Sequence, residues 1–253
     1  MLGGCYALES RFLLNETLAV LLAALIVGLA KGGFGPAGAL IAPLLASVMP
    51  VTEAVGLTLP LLIVGDWFAL RAYWKQWEAK HLRLLLPSAV IGIVFGLLLL
   101  TTLSDDALRR IMGTFTLAIA VYKLVSDRLQ TVEYTPRNWH GNLAGSMSGF
   151  ASALANAGGP PITAYLLLQR LPPTNFVGTS VLFFAVVNLL KLPAFLAADV
   201  INLDKLADVF WVIVLIPLGV WLGRQLITRI NQKAFEWLML GSLMWAGFSL
   251  LLG

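Results

Sequence analysis

"GLAKGGFGPAG", residues 28–38, breaks what would otherwise be one continuous membrane helix. The run from Thr17 to Ala30 is uncharged, and "ALIAPLLASVMPVT" continues without a charge as far as Glu53. Between them stand Lys31, the glycines 28, 32, 33, 35 and 38, and Pro36. Clustered glycine with proline interrupts a helix rather than packing it. The same interruption occurs again in "GNLAGSMSGFASALANAGGPP", 141–161, where 15 of 21 residues are Gly, Ala, Ser or Pro and apolar "ITAYLLLQ" follows. In both, glycine precedes proline. Proline is favoured at the first position of a helix because its missing N–H is not needed there, so a second half-helix is expected to start at each break.

Composition identifies the solvent. Of 253 residues, 59% are hydrophobic and 12% charged, with mean hydropathy +0.86, whereas a soluble domain carries about 25% charged residues. The chain reads as an all-α polytopic membrane protein of the cytoplasmic (inner) membrane. Its net charge of +4 suits cytoplasmic loops and is weak evidence for nucleic acid. The single cysteine, Cys5, excludes an internal disulfide and a thiolate metal cluster. "MLGGCYALES" lacks the basic and apolar regions of a lipoprotein signal, the sequon at Asn15 abuts an apolar run and is incidental, and that run lacks a cleavage signal and is read as structure.

A span needs about 20 mostly apolar residues. Candidates cover 54–70, 84–103 and 107–125, then 177–198, 206–223 and 234–253. The chain divides into a first repeat (1–125), a central loop (126–140) and a second repeat (141–253). "VGLTLPLLIVGD" from Val55 aligns with "VGTSVLFFAVVN" from Val177, setting Gly56 on Gly178, Thr58 on Ser180 and Asp66 on Asn188. Gly92 and Gly96 fall on Gly219 and Gly223. Each repeat is therefore one broken segment plus three spans.

If the broken segments dip in and return, the repeats are inverted; if they cross, there are eight crossings and the repeats are parallel. Half-segments of about 10 to 15 residues are too short to span. In the dipping arrangement eleven Lys and Arg fall on one side and four on the other, against nine and six for crossing. The stronger bias favours two re-entrant segments, with 71–83, 126–140 and 224–233 cytoplasmic.

Freed backbone at membrane depth must face protein or a water-filled cavity. Transporters aim half-helix N-termini at anionic substrates near the midplane. The expected substrate-binding set is Lys31, Gly32, Gly33, Gly35 and Pro36 at the first break, Asn156, Gly158, Gly159 and Pro160 at the second, and Asn188 and Lys191 in the span between. Asp66 is the candidate for coupling. Competing readings are a belt position beside Trp67 for Asp66, snorkelling for Lys191, and helix-to-helix bonding for both asparagines. A pairing of Asp66 with Lys191 is expected. Gly92, Gly96, Gly145, Gly149, Gly219 and Gly223 read as packing positions.

At these residues the chain resembles the TauE/SafE family of sulfite exporters and related anion transporters. The resemblance rests on "GLAKGGFGPAGALIAPLLA", on "GFASALANAGGPPITAYLLLQ", and on "GIVFGLLLLTTLSDDALRRIMG" with its counterpart "GVWLGRQLITRINQKAFEWLMLG". It implies export of sulfite, sulfonates or similar small sulfur-containing anions, or other organic anions; the membrane potential alone can drive a dianion out of an inside-negative cell, with protons optional. An anion channel and a non-transporting membrane subunit are the alternatives. An enzyme is not expected: there is no HExxH or GxSxG, the two histidines, His81 and His140, lie in polar segments where a solvated role is expected, and Asp66 alone makes no aspartyl pair. No catalytic residue, metal or cofactor is assigned. The expected partners are the anion and surrounding lipid, with self-association left open.

Overall fold

A computed structural model describes residues 2–32, 35–126, 137–169 and 171–227, and beyond them residues 237, 240, 241, 244, 245, 248, 251 and 252. Most of the final expected span, 234–253, and most of the central loop therefore lie outside the described residues, as does Gly33. No strand occurs among the described residues.

The first broken segment is α1 (Leu2–Lys31), a 3-10 helix (Gly35–Leu40) and α2 (Ile41–Ala46). Three long helices follow: α3 (Val51–Ala72), α4 (Ala79–Thr102) and α5 (Asp105–Ser126). The second broken segment is α6 (Asn138–Ala155) and α7 (Gly159–Leu168), followed by α8 (Pro173–Ala197). Then come α9 (Leu203–Val209), a 3-10 turn (Phe210–Val214) and α10 (Leu215–Ile227). Both breaks fall where glycine and proline accumulate. The half-segment expected over 17–30 is the C-terminal part of a helix of 30 residues, since nothing in "LGGCYALESRFLLNE" stops a helix.

Val51–Arg71, Ala79–Thr102, Asn175–Ala197 and Leu203–Leu222 are long and apolar enough to cross a membrane. α5 has the length, but Asp105, Asp106, Arg109, Arg110 and Lys123 keep it out of that group. On α4, Ile91, Val94, Phe95 and Leu98 are each more than half exposed. An outward face that apolar has its partner in lipid acyl chains.

Small residues set the closest helix contacts, as expected where lipid supplies no hydrophobic drive between helices. α6 lies along α4: a Cβ on Gly145 would stand 2.4 Å from the Leu85 carbonyl oxygen, and one on Gly92 would stand 2.0 Å from that of Ser146. α10 lies along α1, where a Cβ on Gly28 would stand 2.7 Å from the Gly219 Cα. Between these pairs α3 packs on α8. The loop after α3 seats on Gly178 of α8, and the loop after α8 seats on Gly56 of α3; added Cβ atoms there would lie 1.8 Å from the Gln76 oxygen and 2.0 Å from the Val200 oxygen.

The segments after the two breaks turn back. The 3-10 helix and α2 pack against α1. α7 returns along α6, with the Gly158 carbonyl accepting from Ser148 Oγ at 2.6 Å and Tyr165 reaching His81 near the start of α4, Nδ1 to hydroxyl 3.0 Å. His81 is thus buried, contrary to the solvated role expected from its polar surroundings, because α7 folds over it.

Candidate functional site

Four elements bring a polar cluster into an apolar interior. α1 ends at Lys31, α3 carries Asp66 six residues before its end at Ala72, α6 ends at Asn156, and α8 carries Asn188 and Lys191 one turn apart. Asp66 and Asn188 are each 2% exposed and Lys191 is 0% exposed. The belt reading for Asp66 is thereby excluded; Trp67, the next residue, takes the exposed position and Arg71 stacks on its ring at 4.7 Å. Charges this deep require partners.

Asp66 finds two. Its Oδ1 forms an ion pair with Lys31 Nζ, and its Oδ2 accepts from Asn188 Nδ2 at 2.7 Å. The expected pairing of Asp66 with Lys191 is therefore corrected: Lys31 is the counter-ion. The reason is the course of α1, whose last residue passes α3 where Gly65 has no side chain; a Cβ there would lie 3.0 Å from Lys31 Cγ. Lys31 Nζ also stands 5.7 Å from the centre of the Phe184 ring, within cation–π range. Gly65, beside the flagged Asp66, belongs to this cluster and was missed by sequence reasoning.

Lys191 points inward rather than snorkelling. It donates to the Ser152 carbonyl and hydroxyl, both at 2.9 Å, and to Asn156 Oδ1 at 2.7 Å. An ammonium has three donors, and all three are used. The contact also places a cation at the C-terminal end of α6, where the helix dipole favours one. Asn156 takes a left-handed conformation (φ 50°) and donates through Nδ2 to the Val55 carbonyl at 3.0 Å. Lys191 and Asn156 together hold the second break to α3 and α8. Ser152, unnoticed in the sequence because serine is common in this segment, completes that clamp.

The two breaks meet, since the first 3-10 helix packs against α7. Gly32 continues α1 by donating to the Gly28 carbonyl at 2.8 Å, and Gly35 and Pro36 open the 3-10 helix. Gly158 sits tightly on Ser148, where an added Cβ would be 2.7 Å from the carbonyl oxygen; at Gly159 it would meet nothing within 4 Å. Gly159 and Pro160 start α7 at this open corner. Among the described residues no group of His, Cys, Asp or Glu could hold a metal.

Buried charges gathered at broken helices inside an apolar helical bundle define a multi-pass membrane protein with an internal polar site. A model of the family described as "Sulfite exporter TauE/SafE" matches residues 20–250, and the chain belongs to that family. The family is one of membrane transporters of sulfite and related anions, as the sequence resemblance implied. No curated protein and no solved structure matches the chain significantly.

Proposed function

We propose that the protein exports small sulfur-containing or organic anions, of the sulfite and sulfonate type, across the cytoplasmic membrane. The anion binds near the midplane, between the restarting half-helices at Gly35–Pro36 and Gly159–Pro160. Lys31 supplies the positive charge, Asn188 lines the site, and Gly32, Gly33 and Gly158 keep the backbone close. Asn156 and Lys191 hold the second break in shape, and Asp66 is the coupling group.

The observation that carries this reading is Lys31 itself: a cation at the end of α1 beside a helix break, whose 3-10 helix packs on the second break's restarting helix. Energetics agree with export. One charge moved through 100 mV is worth about 2.3 kcal/mol, so a dianion leaving an inside-negative cell gains about 4.6 kcal/mol alone and about 2.3 kcal/mol with one proton beside it.

The return of α7 along α6 supports re-entrant broken segments. Ten residues of α7 rise about 15 Å at 1.5 Å per residue, half a hydrocarbon core. Inverted repeats are supported by exchange of partners: α4 lies on α6 as α10 lies on α1, and Gly56 and Gly178, aligned in sequence, each seat the other half's loop.

The test is sulfite efflux from liposomes under a clamped potential, for the wild type and Lys31→Ala. Saturable, voltage-driven efflux weakened at least tenfold by the substitution is expected. Efflux of no anion would sink the proposal.

A further inference from the structure

Asn188 presents an unexplained feature. Its amide nitrogen serves Asp66, yet its Oδ1 is buried with no donor among the described residues. The opposite amide orientation would set an oxygen against a carboxylate oxygen, so the assignment is chemically fixed. A buried acceptor left unmade is costly, and natural proteins keep few of them.

The geometry beside it supplies a use. Among the described residues, Asp66 Oδ1 is held by Lys31 alone and Asp66 Oδ2 by Asn188 Nδ2. An anion that takes Lys31 strips Oδ1 of its counter-ion and leaves a carboxylate in an apolar interior with a single hydrogen bond. A proton on Oδ1 removes that charge. Because the amide nitrogen already bonds the other carboxyl oxygen, a turn of the carboxyl plane lets the new hydroxyl donate to Asn188 Oδ1. Carboxylic acid and primary amide close a ring of two hydrogen bonds: Asn188 Nδ2–H to Asp66 Oδ2, and Asp66 Oδ1–H to Asn188 Oδ1.

We infer that an anion can occupy Lys31 only as Asp66 takes up a proton, and that Asn188 is the positioning residue whose free oxygen receives it. The inference rests on the transport reading and deepens it. The balance is simple: Lys31 stays an ammonium, the anion replaces Asp66 as its counter-ion, and water delivers one proton to Asp66 Oδ1. Among the described residues the cations acting on Asp66 are Lys31 of α1 and Lys191 of α8. Lys191 has no donor to spare, so it cannot replace Lys31 as the direct partner. One proton then travels with each anion.

The switch can be read without a substrate. Lys31→Met mimics the occupied lysine, and its infrared spectrum at neutral pH should show the carbonyl stretch of a protonated carboxyl that the wild type lacks. The band should vanish in Lys31→Met/Asp66→Asn and move to higher frequency in Lys31→Met/Asn188→Ala, where the hydroxyl loses its acceptor. An ionised Asp66 in Lys31→Met, or a band unmoved by Asn188→Ala, overturns the inference.

The second arm uses the wild type in liposomes with methanesulfonate, which has no titratable proton near neutrality, and a trapped pH dye. One proton per anion is expected. Wild-type flux without protons overturns the coupling and leaves transport standing. Absence of flux for methanesulfonate and sulfite alike overturns the transport reading and the coupling with it.

Discussion

Lys191 Nζ donates to Asn156 Oδ1 at 2.7 Å, so a lysine from the middle of α8 fixes the left-handed residue that ends α6. Replacing it with methionine keeps the volume and strands the amide oxygen of Asn156 and the hydroxyl of Ser152, while the Ser152 carbonyl keeps the Asn156 N–H at 3.1 Å. Unpaired buried acceptors cost about 1–3 kcal/mol. Lys191→Met is expected to lower the thermal unfolding midpoint in detergent and to abolish transport as well. A variant with an unchanged midpoint would contradict the clamp.

Gly178→Ala and Gly56→Ala should behave as a matched pair. Their added methyl groups would meet backbone oxygens at 1.8 Å and 2.0 Å, which no rotamer relieves. Overpacking of this kind costs about 1–3 kcal/mol or more. Gly159→Ala, with open space around it, is expected to leave stability intact and to weaken anion transport by blocking the corner at the start of α7. Thermal midpoints for the three variants, set beside sulfite flux, check this contrast.

Lys75 and Asp199 take positive φ values, 63° and 53°, in the turns that follow α3 and α8. A left-handed residue with a Cβ costs about 1–2 kcal/mol over the right-handed form, a penalty glycine does not carry. Lys75→Gly and Asp199→Gly should each stabilise the protein by up to about 1 kcal/mol. Denaturant titration of the single and double variants measures it, and because the turns lie in different loops the two gains should add.

Arg109 donates to the Ala46 carbonyl at 2.7 Å and the Met49 carbonyl at 3.2 Å, while its Nε bonds Asp105 at 2.7 Å. It ties the end of α2 to α5. Loss of these bonds in Arg109→Met should destabilise by about 1–3 kcal/mol. Arg109→Lys should recover little, because one ammonium cannot reproduce the spread of a guanidinium fork. Restoration by lysine would show that charge alone suffices there.

The sequence carried the breaks because glycine and proline act locally: "KGGFGP" and "NAGGPP" end helices wherever they stand. It also carried the buried charges, since Lys31, Asp66 and Lys191 stand out against apolar neighbours. Partner choice was not legible. Lys31 and Asp66 are 35 residues apart and Asp66 and Asn188 are 122 apart, and only the crossing of α1, α3 and α8 joins them. His81 was misread for a related reason: "KHLR" looks solvated until α7 folds back and sets Tyr165 over it. Ser152 and Gly65 carry no signal of their own, being small residues among many.

On the proposed two-repeat reading, Asp66 and Asn188 occupy aligned positions in the two halves, and they bond each other across the α3–α8 contact. Were both aspartate, two carboxylates would share one dry spot; were both asparagine, Lys31 would have no counter-ion. The midline of the molecule must therefore be unequal. A pair of identical half-length chains could reproduce the packing of these helices but never this acid–amide couple, so joining the halves in one polypeptide is what allows a single lysine to be answered by a single acid.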